Sequence, residues 1–165
     1  MLRRTIRNSP RRTEVRRFLA HVLIVLLAGC TSGSFTEAKS PVYETVTNTI
    51  VRGLITVDAG GHQFYTFTVP SDKIATASGD FLASGRSGND VQIYIFAPND
   101  YINWANGHEV KVYYSSGKLT IGDISTTLSG GDYYLVYDNS FSIISRKDVQ
   151  TTVSYSYQVC VQNCP

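Results

Sequence analysis

Three cysteines are the most reactive side chains in this 165-residue chain, and their spacing gives them different chemistry. Cys160 and Cys164 stand near the C-terminus with three residues between them, so an oxidising compartment would pair them as a disulfide. Thiol redox chemistry wants a Cys-x-x-Cys pair beside a helix start that lowers a thiol pKa, and zinc wants four ligands at suitable spacing; neither pattern is present. Cys30 stands apart, directly behind Leu26-Leu27-Ala28-Gly29. Beyond cysteine the inventory is thin. His62 and His108 belong to no His-Glu-x-x-His cluster, no Gly-x-Ser-x-Gly elbow offers a nucleophile, and no glycine-rich loop opens a helix to cradle phosphate. The pattern is that of a protein that is not an enzyme. Asp90, Asp100, Asp132 and Asp138, with Asn89 and Asn139, are hard oxygen donors of the kind calcium takes. Solvated turn carboxylates are the simpler reading, so no metal and no other cofactor is assigned.

One stretch has the composition of a binding loop. Tyr101, Asn103, Trp104, Asn106 and His108 place two aromatics among amides and an imidazole, and Tyr and Trp supply large contact area at small entropic cost. Such a loop could stack on a sugar or anchor a protein. The alternative is that Trp104 plugs one end of the core.

Cys30 closes an apolar run that begins at Phe18, behind Arg3, Arg4, Arg7, Arg11, Arg12, Arg16 and Arg17. A basic head, an apolar run of about 12 residues and small residues before the cut make an export signal. With a cysteine at the cut site, the segment resembles a bacterial lipoprotein precursor. That resemblance implies a signal peptide over 1–29, a Cys30 carrying acyl chains such as palmitate, and a tether over 30–40, whose small polar residues have no periodicity. A membrane-spanning anchor would need roughly 20 apolar residues, more than this run supplies. Arg16-Arg17-Phe18-Leu19 approaches a twin-arginine signal but lacks the spacer residue of that motif. The implied location is the cell envelope, lipid-anchored at the outer membrane or at the extracytoplasmic face of the cell membrane. Two or more acyl chains hold firmly there, since each buried methylene contributes about 0.8 kcal/mol.

Removing residues 1–29 changes the charge. The mature chain keeps 8 basic and 12 acidic residues, a net charge of −4, so the basic balance of the whole chain belongs to the signal. No electrostatic footprint for nucleic acid remains.

The elements that must position these residues are strands. Val91, Ile93 and Ile95 alternate with Gln92, Tyr94 and Phe96, and the period-two pattern returns from Val149 to Tyr157. Further strands are expected over 43–57 (broken near Gly53), 62–69, 73–83, 110–114, 118–128 and 132–138. Turn chemistry at Gly60-Gly61, Pro70-Ser71, Pro98-Asn99-Asp100, Ser116-Gly117 and Gly130-Gly131 separates them. The expected fold is all-β, one antiparallel β-sandwich of about seven to eight strands over 41–165.

Gly131-Asp132-Tyr133-Tyr134-Leu135-Val136-Tyr137-Asp138-Asn139-Ser140-Phe141-Ser142, followed by Lys147-Asp148-Val149, resembles the signature of the Golgi-dynamics (GOLD) domain. That domain is the luminal β-sandwich of the eukaryotic cargo-receptor family, similar in outline to a jelly roll. Asp90 to Asp100, an acidic-aliphatic strand ending in a proline turn, and Ser116-Gly117-Lys118 are similar to the same family's pattern. The resemblance implies a buried strand over 133–137, an Asx-type turn at Asp138-Asn139 and a return strand from Lys147. It also implies a habit of binding proteins, and it brings no catalytic residues. The chain departs from the family where a domain cysteine would stand at Val136, and it lacks the coiled coil, membrane helix and sorting tail.

Location and fold together suggest a non-enzymatic, lipid-anchored envelope protein whose sandwich binds another protein. A carbohydrate-binding or adhesive module using the loop around Trp104 is the alternative, and a hydrolase or redox enzyme is a distant third.

Overall fold

A computed structural model describes residues 39–85 and 88–165; Cys30, the signal segment and most of the expected tether lie outside the described residues. The described residues are all-β with one short helix: β1 (Val42–Val57), β2 (His62–Gly85), β3 (Val91–Phe96), α1 (Pro98–Ala105), β4 (Tyr114–Leu119), β5 (Ile121–Asp138) and β6 (Lys147–Gln162). The strands form a six-stranded sheet in the order β1-β6-β2-β5-β3-β4, with antiparallel pairing between neighbours.

Six strands replace the expected seven to eight because two of the expected turns are bends. Segments 62–69 and 73–83 are both parts of β2, and 132–138 joins most of 118–128 in β5. The pairing runs from Val69 opposite Gly131 to Ile74 opposite Ser129, so the extra residues around Pro70 bulge out while the ladder continues. Gly130 makes the bend sterically possible. A Cβ there would lie 2.4 Å from the Ser71 Cα and 2.6 Å from the Pro70 carbonyl oxygen. Nor does Gly53 break β1; it takes φ +123° just past a register shift between Thr49 and Val51.

Residues from both halves of the long strands belong to one buried core. Phe67 of β2 packs on Tyr133 of its partner strand and on Tyr155 of β6, with ring centroids 5.5 and 5.4 Å apart. The Tyr155 hydroxyl donates to the Thr68 carbonyl at 2.8 Å. Deeper in, the fully buried Tyr137 meets the Thr151 Oγ1 at 2.9 Å, and Thr151 donates to the Asp80 carbonyl at 2.7 Å. With the Thr151 proton so used, the Tyr137 hydroxyl is the donor to Thr151. A buried phenol kept this way is stable only while neutral, and burial pushes its pKa far above the ordinary value near 10.

The Asx turn stands where the sequence places it. Ser140 N donates to Asp138 Oδ1 at 2.8 Å, and β6 then returns from Lys147. Asn139, with no exposed surface, is the hub of this end. Its Nδ2 faces the carbonyls of Val57 (3.3 Å), Asp58 (3.0 Å) and Ser145 (2.9 Å), and its backbone N donates to the Gly61 carbonyl at 2.9 Å. The 139–145 loop is thereby fastened to the β1–β2 turn.

Helix α1 corrects the expectation of a turn at 98–100 and a loop over 101–108. Pro98 opens the helix, where its fixed φ suits helical entry, and Asp100 lies in the first turn, where a carboxylate suits the helix dipole. Tyr101 and Trp104, three residues apart, share one face and pack on the sheet. β4 also starts later than the expected 110–114. Ser116-Gly117, read as a turn, lies inside it as a bulge, where Ser116 Oγ accepts the Ile93 N–H at 2.8 Å in place of a ladder partner.

Candidate functional site

The five residues singled out for binding divide sharply. Tyr101 lies flat on Tyr134, with centroids 4.3 Å apart and planes at 11°. Its hydroxyl is 3.0 Å from His62 Nε2. Trp104 packs at 5.2 Å on Phe96 and at 5.6 Å on Tyr94, with the His62 ring edge-on at 5.2 Å. Asn106 is spent on the helix end: its Nδ2 donates to the Ile102 carbonyl at 2.8 Å and its backbone N–H caps the last turn. Asn103 and His108 are exposed.

Strand register assembles the platform beneath α1. His62, Asp138 and Gln92 form one row; Phe64, Val136 and Tyr94 the next; Thr66, Tyr134 and Phe96 the third. Val136 and Phe96 are fully buried although they stand apart from the main core, so β5 is covered on both faces here. Burial raises the Tyr101 pKa, with Tyr134 adding to the shift; it raises the Tyr94 pKa too, with the Asp138 charge a smaller cause. Sequence reasoning missed His62, Phe64, Tyr94 and Tyr134 as partners of this helix. The available signal was that these residues share the outward parity of their strands.

A second surface has no counterpart in the sequence reading. On the outward face of β1-β6-β2-β5, register aligns Thr49, Ser154, Ser78 and Ser125 across the four strands. The next row is Arg52, Thr152, Asp80 and Asp123, and the next is Leu54, Gln150, Leu82 and Ile121. Beyond lie Thr56, Asp148 and Ser84, with Thr56 Oγ1 donating to Asp148 Oδ1 at 2.7 Å. Leu54, Leu82 and Ile121 are 66%, 51% and 67% exposed. The face ends at an open cleft of about 1040 Å³ lined in part by Asp58, Ser84, Ile144, Arg146 and Asp148.

The acids considered for calcium are dispersed and partly engaged. Asp132 Oδ1 accepts the Thr68 hydroxyl at 2.7 Å, Asp138 holds the Asx turn, Asn89 Oδ1 accepts Gly85 N–H at 3.0 Å, and Asn139 faces three carbonyls with its amide nitrogen. Among the described residues no group of three or more His, Cys, Asp or Glu side chains is placed to hold a metal ion. Cys160 and Cys164 are joined as a disulfide, with Cα atoms 5.6 Å apart. The turn it closes is tied to the start of the domain, since Asn163 Nδ2 donates to the Ser40 carbonyl at 3.0 Å. No helix among the described residues is long and apolar enough to cross a membrane.

No family model and no curated protein matches the chain. Among solved structures, it is similar to the tripod (BppUct-A-L) from the baseplate of bacteriophage Tuc2009, at 14% identity and a TM-score of 0.25, covering 93% of this chain and 83% of that one. A likeness at that level carries no argument about function.

Proposed function

We propose that this protein is a non-enzymatic lipoprotein of the bacterial cell envelope, held by acyl chains on Cys30, whose domain is a GOLD-like β-sandwich acting as a protein-interaction module. The observation that carries the anchoring is Leu26-Leu27-Ala28-Gly29-Cys30 behind an arginine-rich head and an apolar run. Two contacts between strand halves support the sandwich, Tyr155 to Thr68 and Tyr137 to Thr151, because they join opposite sides of one core. The interaction role is supported by a stiff scaffold with aliphatic side chains displayed on it, at Ile102 on the helix and on the outward sheet face. A sugar platform needs a free aromatic face, and Tyr101 and Trp104 spend ring surface on Tyr134 and Phe96, which favours protein over carbohydrate.

Metabolic labelling with a fatty-acid probe tests the anchor. Wild type should carry label on an N-terminal Cys30 and Cys30→Ala should carry none; an unmodified Cys30 in the wild type rejects the lipoprotein reading. Photo-crosslinking residues placed at Ile102 and at Leu82 in living cells test the interaction role. A discrete protein adduct from either position is the expected result, whereas glycan-array binding without any adduct would favour the carbohydrate reading.

A further inference from the structure

We propose that the outward face of β1-β6-β2-β5 is a docking surface for a cationic amphipathic protein segment, one that presents aliphatic side chains flanked by lysine or arginine. The proposal rests on the interaction-module reading and assigns it a surface and a partner chemistry.

The surface is an apolar stripe between carboxylates. Leu54, Leu82 and Ile121 stand in one register row, each more than half exposed. At about 4.8 Å per strand the row spans roughly 14 Å. Single exposed leucines are ordinary on a protein surface, but Leu82 and Ile121 face each other on neighbouring strands, and Leu54 stands beyond Gln150 in the same row. On one side the adjacent row carries Asp80 directly opposite Asp123. Like charges facing each other across a strand pair destabilise it, and neither carboxylate is ion-paired among the described residues. On the other side stand Asp148 and, past the strand end, the exposed Asp58. The nearby cations are Arg52, at the far end of the aspartate row, and Arg146, which lines the cleft beside Asp58 and Asp148.

Charge selects the occupant. Four carboxylates against Arg52 and Arg146 leave the surroundings of the stripe net negative, which disfavours anionic lipid headgroups and anionic polymers, while a neutral sugar gains little from three aliphatic side chains. A segment with apolar residues at the centre and cationic residues at both margins satisfies each row, and relieving the Asp80–Asp123 repulsion adds to its binding.

Fluorescently labelled alternating Leu-Lys and Leu-Glu peptides of equal length, titrated into the full chain and read by anisotropy, test the surface. The Leu-Lys peptide should bind at least tenfold tighter than Leu-Glu, and its affinity should fall as salt is raised. Leu82→Ser with Ile121→Ser should weaken binding at least tenfold while leaving the melting temperature within a few degrees, since both side chains are already exposed. Asp80→Asn with Asp123→Asn should flatten the salt dependence. Equal affinity for both peptides, no binding, or sensitivity to Ile102→Ser in place of Leu82→Ser and Ile121→Ser overturns the proposal. The two readings fail separately: a cellular cross-link through Ile102 with no Leu-Lys binding would keep the interaction module and discard this surface.

Discussion

Replacing Asn139 by aspartate changes one atom's chemistry at nearly constant shape, and its effect can be worked out from the three carbonyls around it. The amide nitrogen faces the carbonyl oxygens of Val57, Asp58 and Ser145, while Asn139 Oδ1 is buried without a hydrogen-bond partner. In Asn139→Asp an oxygen replaces that nitrogen. Two short donor contacts and a longer third are lost, each worth about 0.5–1.5 kcal/mol net, and a negative charge points at three negative dipole ends. Breaking a buried charged or hydrogen-bonded network in this way costs about 3–5 kcal/mol. The loss must depend on pH. Burial against carbonyls raises the folded-state pKa of the new carboxyl above its unfolded value of about 3.9. The folded state then binds more protons than the unfolded one, so stability falls as pH rises from about 4, by up to about 1.4 kcal/mol per unit, until the folded group ionises. Urea melts followed by the fluorescence of Trp104, the single tryptophan, measure this directly. The difference between wild type and Asn139→Asp should be smallest near pH 4, where a protonated carboxyl still supplies one donor, and grow towards pH 7. A difference that stays constant across that range would refute the placement of the amide nitrogen against the carbonyls.

Three other substitutions follow from the geometry. Gly79→Ala would set a Cβ 2.2 Å from the Thr152 carbonyl oxygen, where β2 and β6 are paired, so the variant should lose well over 2 kcal/mol or fail to fold; an unchanged melting curve would contradict the pairing. Tyr137→Phe should flatten the alkaline stability profile. The wild-type phenol has its pKa raised by burial, so it favours the folded state below about pH 10 and loses that contribution above it, and the variant should lack up to about 1.4 kcal/mol per pH unit of that decline. Trp104→Ala should lower stability by about 2–3 kcal/mol, somewhat less than the 3–5 of a fully buried tryptophan, because the ring is only half-buried; an unaltered Tm would return Trp104 to the binding surface.

What could be read from the sequence was whatever is local. The Asx turn at Asp138-Asn139 and the largely buried run from Tyr133 to Tyr137 lie in one continuous stretch, whose resemblance to a known signature implied both. The bends at Pro70-Ser71 and Gly130-Gly131 carry the same residue types as reversals, so the sequence does not distinguish a strand that turns back from one that bends and continues. Helix α1 is too short to establish a 3.6-residue period, and its Pro98-Asn99-Asp100 start is equally good turn chemistry. The platform under it and the stripe of Leu54, Leu82 and Ile121 were out of reach for a different reason. Their members lie on separate strands, and only the pairing register brings them side by side.

The way β1 enters the sheet decides how the domain carries a mechanical load. The chain reaches β1 beside the disulfide-closed end of β6, with Val42 opposite Gln162 and Asn163 bonded to Ser40. Leu54 lies twelve residues further along the same strand, about 40 Å from Val42. A pull between the start of the domain and something gripping Leu82 or Ile121, which share the row of Leu54 but stand on strands beyond β6, therefore acts along the β1–β6 ladder. Antiparallel hydrogen bonds run across that direction, so the ladder is loaded in shear. Its bonds must yield together, where a pull across the sheet would peel them one at a time. Resistance to such a force is set by the unfolding rate, and this end-to-end arrangement makes the edge strand β1 the element that must slip before a pull along the sheet can open the domain.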